Sequence, residues 1–302
     1  MSIRPDDPVP LFDPARLAEV KPTAAAILLG QALRRLREER RLTVKMAAKL
    51  INASTSKLSR LERAESPPDE RDVAALAAKY GVSADDRTHL LFVARRALEP
   101  EWFHRYSDCT GTWMHRLMAL EAEAIELSTY EMKIVPGLIQ DDSYARQIIS
   151  NGLRVSEGDE VEQRIHLRRE RQKRFFDQSQ PPQGIFLLDE SILFRQVGCR
   201  RTMRAQMHKL LQLFDAANVS IRIVPLDSSI VSNHGSMTHL LFGASGLQPM
   251  VYIEGNDDAT YCTKEDVVER HVELMLRLGG EAAFSRRESR SMLQAAVERY
   301  SD

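Results

Sequence analysis

Apolar residues recur every three to four positions from Thr23 to about Arg96, interrupted by polar turns at Arg41-Leu42-Thr43, Ile51-Asn52-Ala53, Ser66-Pro67-Pro68 and Gly81-Val82-Ser83. This rhythm predicts five short helices and a small all-α domain over residues 23–98. Ahead of it, Pro5, Pro8, Pro10, Pro14 and Pro22 remove helix and ladder donors, so residues 1–22 read as an extended arm, mobile or ordered by a partner. Residues 99–112, with Pro100, Trp102 and Tyr106, read as a linker. Over residues 113–302 the pattern changes: helical stretches alternate with short β-branched runs bounded by Gly, Pro or Asp. Strands are predicted at Ile185–Asp189, Val219–Val224, Met237–Phe242 and Met250–Glu254. Helices are predicted over 113–128, 141–151, 158–177, 200–217, 264–278 and 285–300.

The most informative stretch is Leu28 to Pro68. Leu29, Ala32, Leu33 and Leu36 form a helical stripe, with Arg34, Arg35, Arg37, Arg40 and Arg41 on the other faces and at the end. Thr43 is placed to cap the amide of Lys45 or Met46, starting a short helix expected to turn Met46, Ala47 and Leu50 toward a core. Asn52 suits a left-handed turn position. Ser54 then caps a third helix that buries Leu58 and Leu61 and leaves Thr55, Ser56, Lys57, Ser59 and Arg60 outward. Two helices joined by a tight turn, the second presenting small hydroxyls and cations, are what reading the DNA major groove requires. The chain thus reads as an α+β multidomain protein: an N-terminal five-helix all-α helix-turn-helix domain followed by a mixed α/β regulatory domain.

Charge sharpens this picture. The 302 residues carry a net charge of −1, which argues against a surface basic throughout. Between Gln31 and Arg63, however, ten basic residues face three acidic ones, a net of +7 that leaves −8 for the remainder. A basic module joined to an acidic one is the electrostatic footprint of a DNA-binding domain with a regulatory partner domain. Three well-separated cysteines, Cys109, Cys199 and Cys262, suggest neither a disulfide framework nor a Cys-x-x-Cys metal site, and point to a reducing compartment. The opening residues lack a signal-peptide pattern and no window is apolar enough to span a bilayer, so a cytoplasmic protein without membrane contact is expected.

The run from Leu29 to Glu62, through Leu33-Arg34-Arg35-Leu36-Arg37-Glu38-Glu39-Arg40, Leu42-Thr43, Ala48, Ser54, Ser56 and Leu58-Ser59-Arg60-Leu61-Glu62, resembles the xenobiotic-response-element (XRE) class of bacterial helix-turn-helix regulators. Val44 stands where that family usually has a phosphate-contacting Gln, a role Lys45 could supply, and Asn52 where it usually has Gly. Further on, Glu121-Ala122-Glu123-Ala124, Tyr130-Glu131, Val135-Pro136-Gly137-Leu138-Ile139-Gln140, Tyr144-Ala145-Arg146, Arg168 with Arg171-Gln172, Leu188-Asp189-Glu190, Val197-Gly198, Ile223-Val224-Pro225 and Val251-Tyr252-Ile253-Glu254 resemble the antitoxin-like domain of actinobacterial regulators. The resemblance implies a DNA-binding regulator paired with a small partner protein.

From the residues themselves, Arg60, Lys57 and Thr55 are expected near base edges, Ser56 and Ser59 at bases or phosphates, and Arg34, Arg41 and Lys45 at phosphates. A homodimer on a palindromic operator follows, because one short recognition helix reads few base pairs. The alternative is an antitoxin-like protein that chiefly sequesters a small protein partner, with DNA binding for autoregulation. The Arg164–Arg174 stretch is nearly balanced by acidic neighbours and reads as a solvated or domain-bridging helix, with Glu121 and Glu123 as possible ion-pair partners for Arg168 and Arg171. Val135-Pro136-Gly137 reads as a turn in which Gly137 permits a positive φ, with pocket lining as the alternative. His234 and His239, five residues apart on a strand-like segment, would put their rings on opposite faces, which argues against a metal pair, and Asp189-Glu190 and Asp257-Asp258 lack an adjacent nucleophile or activating His. No catalysis, cofactor or metal is expected.

Overall fold

The computed structural model describes residues 11–12, 20–152, 158–230, 232, 235–243, 247–255 and 258–301. The chain divides into two units, residues 1–102 with 243–247, and residues 103–242 with 248–302.

In the first unit, helices α1 (Pro22–Glu39), α2 (Val44–Leu50), α3 (Thr55–Glu62), α4 (Glu70–Tyr80) and α5 (Ala84–Arg96) match the five expected. α1 begins at Pro22, whose fixed φ and missing N–H suit a first helical turn, so this proline starts the helix rather than ending the arm. Most of the arm lies outside the described residues, but Phe12 and Val20 are buried and Arg96 Nε donates to the Val20 carbonyl at 2.8 Å. At these points the arm is docked, not mobile. The first half of α1 is apolar on nearly all faces, and Ala24, Ala25, Ile27, Leu28, Leu29, Ala32 and Leu33 are all buried, which makes it the central helix of its unit. Gly30 is required for close approach: a Cβ there would lie 2.5 Å from the Glu62 carbonyl oxygen, at the end of α3.

Four helix ends in this unit close alike. The amides of Leu42, Ala53, Glu65 and Val82 each bond the carbonyl five residues back, across a left-handed residue: Arg41, Asn52, Ala64 and Gly81. Asn52, at φ 54°, fills the turn role expected of it.

The second unit begins inside the expected linker. A 3₁₀ turn at Trp102–Tyr106 buries Phe103 and Tyr106, and Cys109 is buried beside it. Then follow α6 (Thr112–Glu121), β1 (Ala124–Glu131), α7 (Asp142–Gly152), α8 (Gly158–Phe176), β2 (Gln183–Asp189), α9 (Ser191–Phe194), α10 (Arg200–Phe214), β3 (Val219–Val224), β4 (Met237–Phe242), β5 (Met250–Glu254), β6 (Ala259–Cys262), α11 (Glu265–Arg277) and α12 (Arg286–Arg299). All four predicted strands are present; β1 and β6 are additions. The helix expected over 113–128 stops at Glu121, and its second half is β1, the centre of a six-stranded sheet ordered β3-β2-β1-β4-β5-β6. The Ala- and Glu-rich run favours a helix locally, but pairing on both sides, parallel to β2 and antiparallel to β4, overrides it. β1, β2 and β3 form a parallel half, while β4, β5 and β6 form an antiparallel meander. One sheet face is apolar, with Tyr130, Leu187, Val224, Val251, Val268, Met275 and Leu278 in a single core. No helix among the described residues is long and apolar enough to cross a membrane.

Candidate nucleic-acid interface

α2 and α3 are seated by their own sequence. Thr43 Oγ1 accepts from the Met46 amide at 3.2 Å and Ser54 Oγ from the Lys57 amide at 3.1 Å, so both helices are capped as expected. α3 buries Leu58 and Leu61 and leaves Thr55, Ser56, Lys57 and Arg60 exposed, with Ser59 half-buried. The inward face of α2 differs from expectation. Ala47 and Ala48 pack inward, whereas Met46 and Leu50 are 51% and 41% exposed. Small residues let this seven-residue helix approach its neighbours closely and rotate the longer side chains out.

The arginines of α1 divide by function. Arg37, counted in sequence among the surface cations, is buried. Its Nε and Nη2 donate to Glu62 Oε1 and Oε2 at 2.6 and 2.9 Å, and its Nη1 to the Leu42 carbonyl at 2.9 Å. One guanidinium thus ties α1 to the α1–α2 turn and to the end of α3, and the hydrogen bonds it donates to Glu62 raise its pKa despite burial. The pair cancels internally, so its burial leaves the +7 of this stretch unchanged. Arg34 is in an exposed pair with Glu38 at 2.9 Å. Lys57 pairs with Asp72 on α4, whose hydrogen bond raises the ammonium pKa. By contrast, Arg41, Lys45 and Arg60 are exposed and pair with no described carboxylate, and so is Lys49, one turn after Lys45 on the same face of α2. Lys49 was not singled out from sequence, although its i,i+4 spacing from Lys45 signals it.

The second unit contains a distinct polar constellation. On α8, Arg164 pairs with Glu160 and Arg174 with Glu170, as a solvated helix would, but Arg168 and Arg171 turn inward. Arg171 grips Glu121 of α6 bidentately, at 2.7 and 2.6 Å, realising one of the suggested ion pairs. Burial opposes the Arg171 charge, but attraction from Glu121 outweighs it and raises the pKa. Arg168 donates to Gln140 Oε1, and burial and neighbouring Arg171 lower its pKa to about 10. Gly137 has no positive φ; instead it lets the Val135–Gln140 loop lie against both guanidiniums, since a Cβ would stand 3.3 Å from Arg171 Nη1. Val135, Pro136 and Gly137 therefore line a recess as well as forming a turn. Glu131, at the end of β1, accepts from Ser236 Oγ, and burial pushes its pKa up to about 7.

The remaining candidates are structural. Asp189 Oδ1 accepts from the Ser191 amide at 2.9 Å and Glu190 Oε2 from the Leu226 amide at 3.0 Å, so both carboxylates secure turns. His239 lies within β4 opposite Ser128 and Val251, with burial lowering its pKa. His234 and Asp257 lie outside the described residues.

Residues 28–90 match the helix-turn-helix domain family, so the capped α2–α3 pair with its exposed cations is a DNA-binding domain. No curated protein and no solved structure matches the chain significantly. Residues 114–295, more than half of the chain, match a second family spanning the sheet and its recess, and the protein belongs to that family, described as Domain of unknown function (DUF5753).

Proposed function

We propose that this protein is a cytoplasmic, sequence-specific transcriptional regulator of the XRE type that binds a palindromic operator as a homodimer, its second unit receiving a small partner protein or effector. The observation that carries this reading is the outward face of α3, flanked by Arg41, Lys45, Lys49 and Arg60, which pair with no described carboxylate. Arg41 holds a left-handed conformation at φ 54° on the turn entering α2. In this reading α3 enters the major groove, Thr55, Ser56, Ser59 and Arg60 meet base edges, and Arg41, Lys45 and Lys49 hold phosphates. Lys57 would exchange Asp72 for DNA. The antitoxin-like resemblance of the second unit favours a small protein partner there, and copurification from the native host distinguishes such a partner from a metabolite.

DNase footprinting on genomic fragments at roughly 0.1 M salt tests the proposal. A protected two-fold symmetric sequence is expected, with half-sites about one helical turn apart. Absence of any protected sequence would overturn it.

A further inference from the structure

The polar recess of the second unit lies at the carboxyl end of β1, the central strand. β2 runs parallel to β1 on one side and β4 antiparallel on the other, so the start of β4 and the end of β5 lie beside that end.

Its lining departs from what a core requires. The opposite sheet face is apolar, but here β1, β4 and β5 present Thr129, Glu131, Thr238, Tyr252 and Glu254. Thr129 and Thr238 satisfy each other at 3.0 Å, and Arg171 is neutralised by Glu121. Two buried groups remain incompletely paired. Tyr252 is 3% exposed and its hydroxyl makes no hydrogen bond of normal geometry, although it faces the Glu254 carboxylate, which also attracts Arg168 and Arg171. Arg168 has Gln140 as its hydrogen-bond partner and forms no ion pair with a described carboxylate. Burying a hydroxyl and a guanidinium so incompletely paired is costly, and a bound molecule would restore both. The charges also select the molecule. Arg168 and Tyr252 offer donors to an anion, but Glu254 and Glu131 in the same lining disfavour a second negative charge and attract a positive one.

We propose that the recess binds a small zwitterion of amino-acid type, its carboxylate on Arg168 and Tyr252, its ammonium toward Glu131 and Glu254, and its apolar side group against Leu117 and Phe186. This identifies the effector class of the regulatory unit and rests on the reading that this unit receives one.

Calorimetric titration and thermal-shift measurement of the full chain with L-valine, L-leucine, L-isoleucine, L-methionine and L-phenylalanine, one at a time, test it. 4-Methylpentanoate, isoamylamine and inorganic phosphate serve as single-charge and inorganic comparisons. At least one amino acid is expected to bind, at least tenfold more tightly than either single-charge analogue. Arg168→Met should abolish binding and Tyr252→Phe should weaken it about tenfold, while the isosteric Tyr252→Phe keeps its unliganded melting temperature. Equal binding of 4-methylpentanoate, binding of phosphate alone, or no binding of any amino acid overturns the proposal. So does undiminished affinity in Tyr252→Phe. Footprinting the same preparation separates the two readings: an intact footprint with an empty recess discards the effector class alone, whereas a missing footprint discards the regulator.

Discussion

Replacing Arg37 by Met keeps the aliphatic stem but removes the guanidinium that ties α1 to the α1–α2 turn and to Glu62. Both side chains of the ion pair are nearly inaccessible, 8% and 5% exposed. The change therefore strands the Glu62 carboxylate, now without its bidentate partner, and frees the Leu42 carbonyl. Removing one member of a buried pair costs about 3–5 kcal/mol. In a domain of this size about 1 kcal/mol moves a melting temperature by roughly 4–8 °C, so the transition of the DNA-binding unit should fall by more than about 10 °C. The double variant Arg37→Met with Glu62→Leu removes both charges and should recover most of that loss, because replacing the whole pair with apolar residues is often nearly neutral. Differential scanning calorimetry of wild type, both single variants and the double variant completes the cycle. A single-variant cost below about 1 kcal/mol, or a double variant no more stable than Arg37→Met, would refute the claim that this buried pair holds the helix-turn-helix together.

Other expectations follow from individual contacts. Gly30→Ala places a methyl group against the backbone at the end of α3 and should destabilise the unit by about 1–3 kcal/mol; an unchanged melting temperature would show that α1 and α3 separate easily. Arg60→Ala should weaken operator binding by about 1–3 kcal/mol and relax sequence preference, whereas Lys49→Ala should weaken all sequences alike and reduce the salt slope by about 1, both read by fluorescence anisotropy across salt concentrations. Glu131 should make stability depend on pH. Its carboxyl titrates near 7 in the fold instead of 4.5, because burial and Glu254 outweigh the Ser236 hydrogen bond and Lys133. Its cost is absent below about pH 4.5, grows as pH rises toward 7 and is complete above, at up to about 3 kcal/mol. Glu131→Gln should therefore gain melting temperature relative to wild type between pH 5 and 7.5; a constant difference across that range contradicts the assignment.

The helix-turn-helix was legible because its determinants are short in range. The Thr43 and Ser54 caps, left-handed Asn52 and the stripe of Leu58 and Leu61 each act within five residues and survived folding unchanged. Arg37 was misjudged because its partner lies 25 residues away; its place at i+4 from Leu33 and i+8 from Leu29 puts it in line with the apolar stripe, unlike Arg34 and Arg35, which remain exposed. Met46 and Leu50 were misplaced because spacing identifies an apolar face without saying whether a neighbour covers it.

The sequence by itself determined which segments become helices in the first unit, four of the six strands, the local charge asymmetry and the chemistry offered to DNA. These depend on capping, periodicity and composition, which act along the chain. Tertiary structure alone decided that Ala124–Glu131 is the central strand, that Arg168 and Arg171 point inward, and that Tyr252 and Glu131 share one recess. Those outcomes depend on pairing between residues far apart, such as Thr129 with Thr238, where hydrogen-bond completion on both sides of a strand outweighs the intrinsic preference of its residues for a helix.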